Sequence, residues 1–277
     1  ESYSSADRAA LDALLRTVNA ADPLGWFRAL GLYTRTDETG RVYPYSNQAA
    51  DVLALLEHHL ARCGVEVRTG CTVQTLSQSR GGYVVLFSNA DGADESLRAD
   101  AVVCAMGGSA GPQFGTDGFG PRFAAQCGGA LAPLYPCLTA LQCAKPDKRL
   151  AGIRAKAHAA LYSGSTLLAD YRGEVQFTDY GLSGICIMDL TRHLTPAVKN
   201  PAVELDLFPD VAEDALSALF AARVPLLPGD TAADFWLGLL NAKLGRALWQ
   251  AAGLPDADVH RLSAAQWQKL AHIAKHW

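Results

Sequence analysis

The chain has 277 residues, of which 49% are hydrophobic and 19% are charged, a composition typical of a globular protein with a sizeable core. The net charge is −4, the isoelectric point is about 6.0 and no Lys/Arg-rich run occurs, so we expect no nucleic-acid partner. No apolar stretch reaches the ~20 residues of a membrane helix and no basic-then-apolar leader opens the chain, so we expect no membrane partner and a cytoplasmic location.

The first hundred residues alternate helical and strand-like patterns. Ser4 to Asp7 are predicted to cap a first helix, which Pro23 and Gly25 interrupt before a second short helix. A hairpin turn is predicted at Glu38-Thr39-Gly40. The amphipathic run "NQAADVLALLEHHLARCG" predicts a helix that ends at Gly64, and the strand "VEVRT" follows. A helix, a glycine and then a strand is the usual step of a parallel sheet.

From Cys71 the hydrophobic period changes to two. The runs "CTVQTLSQS", "GYVVLFS" and "ESLRADAVVCAM" predict an antiparallel meander, whose last strand is apolar enough to re-enter the buried parallel sheet. This strand ends at the pair Gly107-Gly108. In open α/β sheets, ligands bind at the carboxyl ends of the strands.

The rest of the chain predicts a glycine-rich loop, a short helix near "PRFAAQCG", a β-rich section and a helical section. Gly173 is interpreted as a hairpin turn. Asp230 or Thr231 is expected to cap one of the last helices and Ser263 another, and the chain is predicted to end within an uncapped helix, "KLAHIAKHW". The predicted domains are 1–131, 132–202 and 203–277.

The motifs that mark the common catalytic and phosphate-binding sites are absent. The chain contains no GxGxxG between a strand and a helix, no Walker A sequence and no HExxH. The histidines show no metal-ligand spacing beyond the neighbours His58 and His59, which we interpret as a solvated helix face, and no metal is predicted. The cysteines lack CxxC spacing and are expected to be reduced core residues, with Cys104 singled out because it precedes the glycine pair. The cysteines are Cys63, Cys71, Cys104, Cys127, Cys137, Cys143 and Cys186.

Three stretches in series carry a family resemblance: "ETGRVYPYSNQAADVLALLEHHLARCGVEV", "ADAVVCAMGGSAGPQFGTDGFG" and "GEVQFTDYGLSGICIMDLTR". In this order the chain resembles the NAD(P)/FAD-dependent oxidoreductases of the aminoacetone oxidase family, a flavoprotein branch of the glutathione-reductase-like superfamily. The resemblance covers nearly all of the chain from about residue 25 onwards. It implies a partial FAD-binding α/β Rossmann-like domain, an inserted all-β domain and a small helical domain.

The resemblance also implies FAD as cofactor, NADH or NADPH as possible co-substrate and a small-molecule substrate. Because members of the family begin with GxGxxG and end with a segment that closes over the flavin, we expect a middle fragment, itself inactive, that binds FAD weakly or not at all. The residues that match the family's cofactor side are Arg41, Pro44, Val73, Gly107 and Gly108, and those that match its substrate side are Thr178, Gly181 and Ser183. Each also has a structural interpretation, as a turn or strand residue.

Three positions depart from the family pattern. Met106 replaces a threonine, Asp179 a histidine and Ile185 a proline. Since a histidine at the second position could act as an acid, its replacement leaves the catalytic residue unassigned. Two other hypotheses stay open: a non-catalytic module that binds a small molecule or a protein, and a serine hydrolase that uses Ser183 as nucleophile.

Overall fold

The molecule, seen here as a computed structural model, consists of two compact units, one up to Ala105 and the other from Met106 to Trp277. Both units contain helices and strands, which confirms the mixed α/β class. The predicted boundaries at 131 and 202 differ from this division, since the β-rich and helical sections share one hydrophobic core in the second unit. The structure describes residues 8–126, 130–227, 229–255 and 258–277.

Residues 8–105 of the first unit form three helices, a two-stranded hairpin and a three-stranded meander. The hairpin turns at Gly40 and the third helix ends before Gly64, which adopts φ +72°, both as predicted. The predicted cap at Ser4 to Asp7 lies outside the described residues. The elements are α1 (Arg8–Ala20), α2 (Pro23–Ala29), β1 (Thr34–Thr36), β2 (Val42–Pro44), α3 (Ala49–Arg62), β3 (Thr72–Ser79), β4 (Gly82–Ser88) and β5 (Asp94–Ala99).

One predicted strand of the first unit is not formed, and another is formed only in its first half. Residues 65–69 pair with no described strand, and β5 ends at Ala99, so that 101–106 pair with none either. All three sheets of the described residues are antiparallel, and the predicted parallel sheet is therefore absent from them. An extended segment becomes a strand only when a neighbour accepts and donates its backbone hydrogen bonds. Without one, Val67 is 63% and Val103 is 90% exposed.

The second unit is built on a five-stranded sheet of order β10-β7-β8-β9-β6. The hairpin of β7 and β8 turns at Gly164 and Ser165, so the prediction of a turn at Gly173 is wrong. Gly173 lies inside β8, opposite Ala157, and its missing side chain leaves room for Cys186. The elements are α4 (Phe119–Gln126), β6 (Leu141–Gln142), β7 (Arg154–Ser163), β8 (Thr166–Phe177), β9 (Gly181–Ser183), α5 (Ile185–Thr191), β10 (Pro201–Asp206), α6 (Glu213–Arg223), α7 (Ala232–Phe235), α8 (Ala242–Ala251) and α9 (Ala264–Lys275).

The helical section begins its elements where the sequence predicts. Thr231 caps α7 and Ser263 caps α9, each in a capping box, so that side-chain oxygens accept the first free N–H groups. The single helix expected from Thr231 onwards is instead two helices, because Gly238 adopts φ +72° and Asn241 caps a new start. The other helix end was also predicted wrongly: α9 stops at Lys275, and Trp277 exchanges two backbone hydrogen bonds with Leu205 of β10.

An aromatic cluster forms the centre of this core. Phe220 of α6 lies edge-on to Phe235 and Trp236, with ring centroids 5.5 and 5.9 Å apart, and Phe235 stacks on Trp267 of α9 at 5.1 Å. Trp249 of α8 approaches Phe235 at 5.6 Å. The cluster therefore joins α6, α7, α8 and α9 through one set of rings. None of the described helices combines the length and apolar character that a bilayer crossing demands.

The prediction of core cysteines is confirmed at Cys186, which is 1% exposed, but it is wrong for three cysteines. Cys143 and Cys71 are partly buried, and Cys127 lies outside the described residues. Apolar neighbours in sequence suggested burial of the exposed cysteines. Cys63, however, caps the end of α3, in which no residue is buried, and Cys104 and Cys137 lie in segments that pair with no described strand. The exposed cysteines are Cys63, Cys104 and Cys137.

Replacing Phe220 by alanine is expected to lower the free energy of unfolding by about 3–5 kcal/mol, since a fully buried ring is lost from the centre of the cluster. Leu219→Ala is the matched control. Leu219 is the neighbour of Phe220 in sequence but is 40% exposed, so we expect the free energy of unfolding to fall by less than about 1 kcal/mol. Urea denaturation followed by tryptophan fluorescence measures both. Equal losses would contradict the central place of Phe220.

The cysteines should also differ in reactivity. Burial raises the pKa of the Cys186 thiol, so in the folded protein we expect iodoacetamide to alkylate it more than about tenfold more slowly than Cys104. Peptide mapping by mass spectrometry after timed labelling measures the two rates. The difference should vanish in denaturant, and its absence in the folded protein would contradict the burial of Cys186.

Candidate functional site

The loop that begins at Gly107 has two backbone features that a ligand site needs. Gly107 adopts φ +72°, a conformation in which a side chain is strained. At Gly108 a Cβ atom would meet no atom of the described chain within 4 Å, so one face of the backbone is open. Both residues are exposed. The loop can therefore let a flat or anionic group come close to its main chain.

The far end of this loop is held by α4. Arg122 donates to the Asp117 carboxylate at 2.7 Å, and the other Asp117 oxygen accepts from the N–H of Phe119 at 2.9 Å. The Arg122 bond is the main reason why the pKa of Asp117 lies below its usual value. A Cβ at Gly120 would lie 3.3 Å from the Met106 sulfur. Met106, where the family has a smaller polar residue, thus packs on the start of α4.

The three predicted substrate-side residues lie together at the turn from β8 to β9. Thr178 and Gly181 exchange hydrogen bonds: the Thr178 N–H donates to the Gly181 carbonyl at 2.9 Å, and the Gly181 N–H donates to Thr178 Oγ1 at 2.9 Å. Ser183 follows on β9, opposite Gln176. Asp179, in the middle of the turn, is exposed.

Gly181 has a structural reason to be glycine. A Cβ there would overlap the Leu141 carbonyl and lie 2.7 Å from the Cys143 N–H nitrogen, so β6 approaches the turn closely. The Cys143 N–H donates to the Tyr180 carbonyl at 2.9 Å, and this bond holds the two segments together. The position thus supports the structural interpretation of the glycine, and its assignment to a substrate stays a prediction.

The serine-hydrolase hypothesis finds no support around Ser183. The residue does lie between a strand and a helix, as nucleophilic serines do. The histidines of the second unit, however, all have partners elsewhere: His158 bonds to Asp170, His193 to Tyr171 and His260 to Asp230, while His272 and His276 bond to Glu213. None of these five histidines is recorded in a hydrogen bond with the Ser183 hydroxyl, so the structure shows no serine–histidine pair of the second unit that would support this hypothesis.

In the first unit, Arg41 and Pro44 lie on the β1–β2 hairpin. Pro44 ends β2 opposite Thr34, and Arg41 is exposed just after the turn. The turn is fixed by Asp37, whose carboxylate accepts from the Thr39 hydroxyl and from the Arg41 N–H; these bonds, the hydroxyl foremost, lower the pKa of Asp37. The Arg41 side chain is thus carried on a well-defined turn.

Sequence reasoning missed a second arginine on the same hairpin. Arg35 donates to the Asn47 side chain at 3.2 Å and lies over the Tyr45 ring, with 6.0 Å from the guanidinium carbon to the ring centroid. It lines an open cavity of about 780 Å³ together with Asp37 and Tyr43. The arginine-aromatic pairing across the strand was the signal that could have found it.

Val73 occupies a different sheet of the first unit. It is on β3 opposite Phe87, is 37% exposed and lies next to an irregularity in the pairing between β3 and β4. A shift of register of this kind frees a main-chain group from the ladder. The main-chain contact that the resemblance implies at Val73 stays a prediction.

Sequence reasoning also missed a polar network in the second unit. Tyr171 of β8 and His193 share a hydrogen bond of 3.0 Å, and Arg192 donates to the same tyrosine oxygen at 3.2 Å. The Arg192 side chain is only 19% exposed and lies 5.7 Å from the centroid of the Tyr171 ring. A phenol, an imidazole and a guanidinium in contact can hold or pass on a proton. Tyr171 and Arg192 are 21 positions apart in sequence, so no local sequence motif identifies this network.

Comparison with known proteins places the chain in context. The family model for the HI0933-like protein Rossmann domain matches residues 2–253. The chain is 33% identical over 267 residues to a 3-dehydro-bile acid delta(4,6)-reductase of Clostridium scindens, an alignment that covers 95% of this chain and 64% of the relative. The chain thus spans less than two thirds of the length of that relative.

The close approach at Gly181 can be tested by substitution. Gly181→Ala should lower the free energy of unfolding by about 2–4 kcal/mol, because the new methyl group forces β6 away from the turn. Gly164→Ala is the control, since Gly164 has open space around it. Only the strain of a side chain at φ +59° should then lower the free energy of unfolding, by about 1–2 kcal/mol. Urea denaturation measures both. A Gly181→Ala loss no larger than that of the control would contradict the close approach.

Proposed function

The chain belongs to the HI0933-like Rossmann-domain family, and from this premise we propose that it takes part in flavin-dependent hydride transfer, with FAD as cofactor and NAD(P)H as co-substrate. The name of its relative as a reductase supports the direction from cofactor to substrate. We propose a small-molecule substrate, in keeping with the bile acid of that name. We also propose that the chain belongs to the aminoacetone oxidase branch, a proposal that the three motifs in series support.

The observation that carries the cofactor proposal is the loop at Gly107 and Gly108. Its positive φ and its open backbone face fit a large planar or anionic group that approaches the main chain. Bound FAD supplies the centre that accepts and delivers the hydride, and the protein positions it. The residues of this chain would therefore bind and orient the cofactor and the substrate, and would exclude water from them.

Each unit is assigned its own part in this proposal. In the first, Arg41 would bind an anionic group in the bidentate manner of guanidinium, Pro44 would shape the same hairpin and Val73 would offer its main chain to the adenine. In the second, Thr178, Gly181 and Ser183 would border the substrate. Also in the second unit, the phenol of Tyr171 and the imidazole of His193 share a hydrogen bond and would hold a proton.

We further propose that these 277 residues bind FAD weakly. They contain no strand-GxGxxG-helix, and in dinucleotide-binding folds the N–H groups of that motif, with the helix N-terminus behind them, bind the pyrophosphate. An affinity between about 10 µM and 1 mM is expected, which corresponds to roughly 4–7 kcal/mol.

Substitution of the open glycine tests the cofactor assignment. Gly108→Val should weaken FAD binding more than about tenfold, because its side chain fills the space that the cofactor needs. Ala110→Val, in the same exposed loop, is the matched control and should change the affinity less than about twofold. Quenching of flavin fluorescence on titration with the protein measures each affinity, and thermal melting verifies the fold.

The outcomes separate the two parts of the proposal. If FAD shows no binding up to 1 mM, or binds both variants alike, the cofactor assignment is wrong. Stoichiometric flavin that stays with the chain through purification would contradict weak binding alone. Oxidation of NADH or NADPH that depends on added FAD would support the proposed reaction and would contradict the expectation that these residues are inactive by themselves.

A further inference from the structure

Two histidines and a glutamate meet on the surface of the second unit, at a place that the proposed hydride transfer does not use. His272 lies in the last turn of α9 and His276 directly follows its end; the His276 N–H donates to the His272 carbonyl at 2.9 Å, which keeps the two residues close together. Glu213, the first residue of α6, lies between them: His272 Nδ1 is 3.0 Å from one carboxylate oxygen and His276 Nε2 is 3.2 Å from the other. This spacing corrects the conclusion that no further pair of histidines in the sequence has metal-ligand spacing.

We propose that Glu213, His272 and His276 bind a divalent first-row transition metal ion, with Zn²⁺ as the best match. One donor atom from each of the three residues lies within 4.8 Å of the other two. Donor atoms on a tetrahedral zinc ion, with bonds of about 2.0–2.2 Å, are roughly 3.3 Å apart. The two His–Glu separations, 3.0 Å to one carboxylate oxygen and 3.2 Å to the other, are close to that value, so small side-chain adjustments would bring the three donors to the spacing of one ion.

The chemistry of the donors selects the class of ion. Two imidazole nitrogens and one carboxylate form a set that zinc, nickel and copper prefer, whereas Mg²⁺ and Ca²⁺ require oxygen ligands. Three protein ligands leave a fourth position for water. On binding, the metal replaces the protons that the histidines donate to Glu213, and these protons pass to the solvent.

A second carboxylate supports the same interpretation. His276 presents Nε2 to Glu213 and Nδ1 to Glu204 of β10, with 3.3 Å between Nδ1 and the Glu204 oxygen. A histidine that binds a metal through one nitrogen usually donates its other N–H to a carboxylate, which fixes the ring and increases its basicity. Glu204 is in the position to do this.

The backbone that carries the cluster is firmly held. Lys275, which lies between His272 and His276 in sequence, forms an ion pair of 2.7 Å with Asp206. It also donates to the carbonyls of Phe208 and Val211. These contacts join the end of α9 to β10 and to the segment that leads into α6. A metal ion would therefore join elements that already lie at the required distances, and would stabilise the folded unit.

The test is metal binding by the full chain without a polyhistidine tag, after treatment with EDTA. We expect saturable binding of one Zn²⁺ per chain by calorimetry, a visible Co²⁺ spectrum typical of a four-coordinate ion, and a higher melting temperature with Zn²⁺. His276→Gln and Glu213→Gln should each weaken Zn²⁺ binding more than about tenfold, and Glu204→Gln should weaken it by a smaller factor.

His260→Gln is the matched control. His260 also bonds to a carboxylate, that of Asp230 at 3.0 Å, but belongs to no described three-residue group of metal ligands. The His260→Gln variant should bind Zn²⁺ with the same affinity as the unchanged chain. Melting of each metal-free variant shows that it is folded, and Glu204→Gln keeps all three ligands. Absence of saturable binding, or equal affinities in His276→Gln and His260→Gln, would overturn the proposal.

Discussion

The packing of Phe220 and Phe235 against three tryptophans is the contact on which the second unit depends. Aromatic rings bury large apolar areas and prefer edge-on or offset contacts, which fix the angle between the elements that carry them. Because the rings come from four helices, the position of each helix depends on the others. The sharing of one core also explains why the β-rich and helical sections form a single unit.

This arrangement decides what lies at the surface. The packing of α6 against α9 brings the start of one helix beside the last turn of the other, and so brings Glu213 to His272 and His276. A similar relation holds at the turn from β8 to β9, where the absence of a side chain at Gly181 lets β6 approach. In both places the core determines which polar groups meet, and the local sequence supplies only their chemical type.

The sequence predicted those features that depend on neighbours along the chain. The capping residues Thr231 and Ser263, the end of α3 before Gly64 and the meander of β3 to β5 need only local hydrogen bonds and a regular hydrophobic period. The strand expected at 65–69 and the second half of the run expected over 95–106 did not form, because a parallel strand needs a partner from a distant part of the chain, which no pattern within the segment can supply.

The candidate site also has features that the local sequence predicts and features that it does not. A positive φ at Gly107 follows from a glycine pair in a loop, so it was accessible from the sequence. The contact of Tyr171 with His193 joins a strand to the segment after a helix, and no motif spans that distance. Cys104 and Cys137 show the opposite error: their apolar neighbours in sequence suggested burial, but their segments pair with no described strand and both residues are exposed.

The backbone pairing of Trp277 with Leu205 has a practical consequence for expression of the protein. Any residues that follow Trp277, natural or added, would continue directly from the edge of β10, within two residues of His276. A polyhistidine tag placed there would add imidazoles close to Glu213 and Glu204, and these would compete with the proposed site for metal ions. An affinity tag at the other terminus, removable by a protease, keeps the chemistry of this edge intact.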